Sequence, residues 1–241
     1  MKKKIFVFLY HFFYRTLLSF LTMILFWHKG IRTRRHFERK NFDDSEKDNS
    51  DRASFIADLC FEFSSEGEFQ QVLPLIQDSL KDGKKIEIIF FSPSVEHAVQ
   101  HLVSEYPLQI RFMRFPLLYD FFLLGQKSIM NWMTAKKLIL VRYDFFPEFY
   151  LWSLDENHQL IVLWASFKKE RIQNKEISLW KKIFFKQVDY IVFATLKEYE
   201  FAHKSGLFIR EKDVFDLRTI QIKKRIEIKD VTLNQKFPQL Q

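Results

Sequence analysis

A single cysteine, Cys60, excludes an internal disulfide framework and any cysteine-rich zinc or iron–sulfur site. Five glycines and six prolines in 241 residues leave no room for collagen-like or Gly/Pro-rich low-complexity sequence. There is no GxGxxG and no GxxxxGK[ST], so neither a dinucleotide nor a P-loop fingerprint is present. A GxSxG nucleophile elbow and an HExxH zinc motif are also missing, and His97, His101, His158 and His203 are scattered. No repeat of fixed period appears. What remains is rich in core-forming residues: 47% hydrophobic, with 29 phenylalanines, too apolar for a disordered chain.

The net charge of +8 is unevenly spread. Residues 1–42 carry ten Lys/Arg against Glu38, residues 43–51 are acidic, and the remainder is only mildly basic. A nucleic-acid-binding domain would place its charge on a folded face. Here the charge flanks Ile5–Trp27, a mainly apolar run long enough to span a bilayer core. His11, Arg15, Ser19 and Thr22 share one helical stripe of that run, which suits a helix lying in the membrane interface. A spanning helix and a cleaved signal peptide are the alternatives. The expectation is a membrane anchor with basic flanks over 1–42, then an acidic linker over 43–54.

Beyond the linker, short apolar runs alternate with helical periodicity. Strands are expected at Phe55–Phe63, Ile86–Phe91, Ile110–Phe115, Lys137–Tyr143, Leu160–Ala165 and Tyr190–Ala194. Helices are expected after the first two strands, over roughly 119–135 and near 147–157, 174–187 and 196–205. Strands that are apolar throughout, alternating with helices, predict an α/β fold: a Rossmann-like, doubly wound parallel sheet over 55–220. The tail 221–241 is left over.

In such sheets ligands bind beyond the carboxyl ends of the strands, which directs attention to those loops. After the first strand comes Ser64-Ser65-Glu66-Gly67-Glu68. Ser65 and Glu68 have capping-box spacing, and a helix N-terminus there also favours an anion, so both readings stand. Gly67 would let a ligand approach the backbone closely. Ser92 and Ser94 flank Pro93 after the second strand, by themselves only a turn. Arg142 and Asp144 follow the fourth strand, ahead of Pro147: a local ion pair or a substrate contact. Ser166, Lys168, Lys169 and Arg171 make a basic loop after the fifth, either a solvated face or a phosphate clamp.

Taken in order, these segments resemble the N-terminal half of the bacterial lipid A Kdo (3-deoxy-D-manno-octulosonic acid) transferases, membrane-associated glycosyltransferases of the GT-B type. The family's S-x-G-E is similar to Ser65-Glu66-Gly67-Glu68, and its L-P-L-I to Leu73-Pro74-Leu75-Ile76. Its Thr/Ser-rich turn falls at Ser92-Pro93-Ser94, its acidic-x-Trp-Pro segment at Asp144-Phe145-Phe146-Pro147, and a late D-x-R at Asp216-Leu217-Arg218. The resemblance spans about 55–220. It departs at Glu62, Val95, Arg142 and Phe146, where the family has His, Gly, an acid and Trp.

The resemblance implies transfer of Kdo from CMP-Kdo to a lipid A precursor by direct displacement with inversion. Glu68 would be the catalytic base. Ser65, Gly67, Ser92, Ser94, Asp144, Lys168, Lys169, Arg171 and Arg218 would contact the acceptor. It implies no cofactor, no metal and no nucleic acid, and a place on the inner membrane with the domain facing the cytoplasm. A GT-B enzyme also needs a donor-binding domain, and only about twenty residues follow Arg218. A separate donor-domain chain is therefore an expected partner. The alternative is a non-catalytic, membrane-anchored lipid A-binding module.

Overall fold

The computed structural model describes residues 27–47, 55–118, 129–142, 146–167, 176–207 and 209–220, and isolated positions at 12–14, 16, 17, 20, 21, 24 and 222. Seven parallel strands form one sheet: β1 (Leu59–Phe63), β2 (Ile86–Phe90), β3 (Ile110–Arg114), β4 (Lys137–Val141), β5 (Gln159–Ala165), β6 (Tyr190–Phe193) and β7 (Glu211–Val214). Their order across the sheet is β3-β2-β1-β4-β5-β6-β7. The doubly wound α/β class read from the alternating pattern is the observed one. The inner strands are short and largely apolar because both faces are covered: every residue of β2 is buried, including Glu87.

In chain order the helices are α1 (Lys29–Lys47), α2 (Glu66–Lys81), α3 (Glu96–Glu105), α4 (Ile129–Trp132), α5 (Pro147–Trp152), α6 (Leu179–Phe185) and α7 (Leu196–Lys204). α2 presents Phe69, Val72, Ile76 and Leu80 to the sheet, the apolar stripe expected from the sequence. Pro74 lies inside α2 and is buried there. Gly83, in the left-handed region at φ 77°, follows the helix end, where a residue with Cβ is disfavoured. Most of the helix expected over 119–135 lies outside the described residues; only α4 is seen. The tail 223–241 lies outside them too.

β7 was not expected. Its sequence, Glu211-Lys212-Asp213-Val214, is polar and wholly exposed, so it carries no apolar signature. It holds its edge position by pairing with β6 and by a side-chain hydrogen bond from Tyr190 to Asp213.

The N-terminal region corrects the expected boundaries. Residues 29–42 were read as an anchor's basic flank and 43–54 as a linker. Instead 29–47 form α1, a helix docked on the sheet. Phe37 is buried beside Phe90. Arg34 donates to Glu38 and to the carbonyl oxygens of Phe91 and Phe115, just past the ends of β2 and β3. Glu38, fully buried, accepts from the Leu118 amide at 2.8 Å. Asn41 pairs with the backbone of Arg114 in both directions, at 2.8 and 3.0 Å, and so occupies the open edge of β3. The inward face is thus largely polar, which is why it read as surface. No helix among the described residues is long and apolar enough to cross a membrane, so the expected anchor helix is not supported as a spanning element. Most of 5–27 lies outside the described residues, but Phe12, Phe13, Leu17, Phe20, Leu21, Ile24 and Trp27 are exposed.

Candidate functional site

The strand order reverses between β1 and β4, which leaves a crevice at their carboxyl ends. The amino end of the sheet is a closed network by contrast. There the buried Glu87 carboxylate accepts from Arg111, from the Thr134 hydroxyl and amide, and from the Ala135 amide. Cys60 is also buried, and desolvation pushes its thiol well above the usual range, with Glu87 and Glu62 adding to the shift.

At the crevice, Glu68 is held on the first turn of α2. Ser65 is the N-cap, and its hydroxyl accepts from the Glu68 amide. The Glu68 Oε2 accepts in return from the amides of Ser64 and Ser65, at 2.8 and 3.2 Å. The capping box, one of the two readings left open by the sequence, is therefore present. The other carboxylate oxygen, Oε1, faces Arg142 Nη1 at 3.4 Å, across the switch point from the end of β4. Gly67 is exposed, and a Cβ there would meet nothing within 4 Å, so the backbone is open to approach at that turn.

Arg142 is in the left-handed region, at φ 75°, and so is Trp164 of β5, at φ 58°. For residues other than glycine each such conformation costs of order 1–3 kcal/mol and persists only where the surroundings impose it. The two strained positions are adjacent. The Arg142 amide donates to the Leu163 carbonyl, and the β5–β6 register shifts between Val162 and Ala165. The guanidinium of Arg142 lies 4.4 Å from the Trp164 ring centre and that of Arg218 lies 5.4 Å from it. The Trp164 ring nitrogen is buried with no hydrogen-bond partner among the described residues.

Arg218 follows β7 and grips Asp216 through Nε and Nη2 at 2.7–3.1 Å. Hydrogen bonds from Arg218 hold the Asp216 carboxyl below its ordinary range, and the same pairing raises Arg218. The crevice thus assembles Glu68, Ser65 and Gly67 with Arg142, Trp164 and Arg218. Its wall on the β2 side is the short turn Pro93–Val95, in which the Ser92 hydroxyl accepts from the Ser94 amide and lies 2.9 Å from the Ser94 hydroxyl. These hydroxyls bond to each other, as in an ordinary turn. Asp144, Lys168, Lys169 and Arg171 lie outside the described residues. The last described residue before that basic loop, Phe167, donates its amide to the buried Glu198 on the first turn of α7.

Trp164 was missed by sequence reasoning because it sits in a continuous apolar strand, and nothing in the local pattern marks its backbone as irregular. From the sequence Arg142 reads as a local ion pair with Asp144 or a substrate contact, with nothing to link it to Glu68. Its contact with Glu68 spans 74 positions and joins two loops that only the sheet order brings together. Among the described residues no group of three His, Cys, Asp or Glu side chains converges as a metal site. No protein-family model matches the chain, and no curated protein matches its sequence.

Proposed function

We propose that this chain is the acceptor-binding domain of a Kdo-transferase-like glycosyltransferase, acting on a lipid A precursor with CMP-Kdo as donor. The observation that carries the reading is the Glu68 carboxylate, fixed at the topological switch point by two backbone amides. The resemblance would put the catalytic base there. In this role Glu68 takes the proton from the acceptor hydroxyl as that oxygen attacks the anomeric carbon of Kdo and CMP departs. The two amides on Oε2 fix the orientation of the carboxylate at the end of α2. Oε1 is the oxygen that can exchange its partner, because its contact with Arg142 is long, at 3.4 Å. The exposed apolar positions between Phe12 and Trp27 would seat the domain on the inner membrane, where its lipid substrate lies.

One observation favours a second reading, a non-catalytic lipid A-binding module. Arg142 stands where the resembling family has an acid, and it pairs with Glu68. That pairing occupies Oε1, the oxygen that a catalytic base would turn to the acceptor.

A transfer assay separates the two. The detergent-solubilised chain is incubated with lipid A precursor and CMP-Kdo, and the lipid is read by mass spectrometry beside a Glu68→Gln control. A Kdo adduct that vanishes in the control supports the enzyme. Bound lipid without an adduct refutes turnover by this chain alone and leaves a lipid-binding domain. Neither adduct nor bound lipid refutes both.

A further inference from the structure

We infer that Arg142 and Arg218, set against Trp164 at the switch point, form a subsite for a phosphate monoester carried by the ligand. The inference deepens the acceptor-binding reading by naming the group that this crevice grips.

Arg142 carries five N–H donors, and its guanidinium makes one polar contact among the described residues, the long one to Glu68. A third of its side chain is open to solvent. Arg218 commits Nε and Nη2 to Asp216 and keeps the other terminal nitrogen. Both cations lie against one indole, so the aromatic face holds two guanidinium groups in one neighbourhood.

Each arginine has a nearby carboxylate, so a weak anion gains little by entering. A phosphate monoester carries up to two charges and three strong acceptor oxygens, enough to engage donors from two separate forks. A carboxylate is satisfied by a single fork. Glu68 loses little when Arg142 turns to the ligand, because its Oε2 keeps both amide hydrogen bonds. Arg142 leaving also uncovers Oε1, so binding of the phosphate and release of the carboxylate are one event.

The backbone supports a ligand role over a merely structural ion pair. An exposed ion pair can be placed on unstrained backbone, yet here two adjacent non-glycine residues sit in left-handed conformations, and one of them is the cation. The indole nitrogen of Trp164 is buried here with no hydrogen-bond partner among the described residues.

The test uses the full chain in detergent micelles, with intrinsic tryptophan fluorescence as readout and Trp164→Phe to identify the local signal. Glucosamine 1-phosphate, glucosamine and glucuronic acid are the probes. The expected result is saturable binding of the sugar phosphate, weakened at least about tenfold by Arg142→Gln and by Arg218→Gln. Arg142→Lys should recover part of it, and glucosamine should bind no better to wild type than to the variants. Arg142→Gly guards against misfolding, since glycine accepts φ 75° without strain: it should fold as well as wild type and still lose the phosphate. Sugar-phosphate affinity unchanged in both glutamine variants, or retained in Arg142→Gly, overturns the inference. Glucuronic acid bound as tightly through the same arginines overturns the phosphate assignment. Arginine-dependent phosphate binding with no lipid A binding would sink the lipid A reading alone. Lipid A binding indifferent to both arginines would sink this inference alone.

Discussion

Replacing Arg34 by Met should uncouple α1 from the sheet at a cost of about 3–5 kcal/mol. Arg34 is largely covered, with 13% of its side chain exposed, and desolvation lowers its pKa despite the neighbouring Glu38. Methionine keeps most of the apolar stem that covers Phe37 and Phe91. It removes one donor to Glu38, which still accepts from the Leu118 amide, and the donors to the carbonyls of Phe91 and Phe115. Breaking a buried ion pair from one side costs about 3–5 kcal/mol, because the remaining charge stays buried. For a domain of this size that lowers the melting temperature by about 6–20 °C. The assay is denaturant and thermal unfolding of wild type, Arg34→Met and Arg39→Met. Arg39 is exposed on the same helix and should change stability by no more than about 0.5 kcal/mol. Arg34→Met/Glu38→Leu should recover part of the loss, since the buried carboxylate no longer lacks its cation, but not all, since two strand-end carbonyls still lack their donor and the Leu118 amide its acceptor. A loss in Arg34→Met no larger than in Arg39→Met would refute the docking argument. So would full recovery in the double variant, which would mean that the carbonyl contacts contribute nothing.

Truncation of residues 1–26 should leave the unfolding transition unchanged, whereas removal of 1–40 strips Arg34, Phe37 and Glu38 and should cost at least the 3–5 kcal/mol of a lost core phenylalanine, about what Phe37→Ala alone would show. Glu68→Ala removes the capping glutamate and the Arg142 partner and should destabilise by about 0.5–2 kcal/mol in urea unfolding, while Glu68→Gln keeps an acceptor and should lose less. Glu96 accepts hydrogen bonds from Lys40 and Arg114, which outweigh burial and hold its carboxyl below the ordinary range. Its stabilising contribution is therefore present above the unfolded value of about 4.3 and disappears as pH falls through the lower folded value, so Glu96→Gln should flatten the acid limb of the stability profile. Cys60, buried with a raised pKa, should react with iodoacetamide only as fast as the domain opens, and labelling faster than unfolding would contradict its place in β1.

The fold class was legible because the strands are buried on both faces. Phe61, Ile88, Leu140 and Val162 needed no knowledge of the tertiary structure to be read as core. The same logic made β7 invisible, since an exposed edge strand of Glu, Lys, Asp and Val has no reason to be apolar. The candidate site was half legible. Ser65 and Glu68 act over three residues, so their reciprocal hydrogen bonds are written in the local sequence. The pairing of Glu68 with Arg142, and of both arginines with Trp164, depends on the carboxyl end of β5 meeting the segments that follow β1, β4 and β7 at one end of the sheet.

Sequence alone determined the alternation of strand and helix and the apolar core, and it placed the capping spacing of Ser65 and Glu68 after β1 without choosing between a cap and an anion site, because each rests on neighbours in the chain. Tertiary structure decided the rest. It turned a basic segment into a docked helix, because Arg34, Glu38 and Asn41 satisfy strand-end backbone groups that no local pattern reveals. It also forced Arg142 and Trp164 into left-handed backbone, a cost that only the packing of adjacent strands could impose.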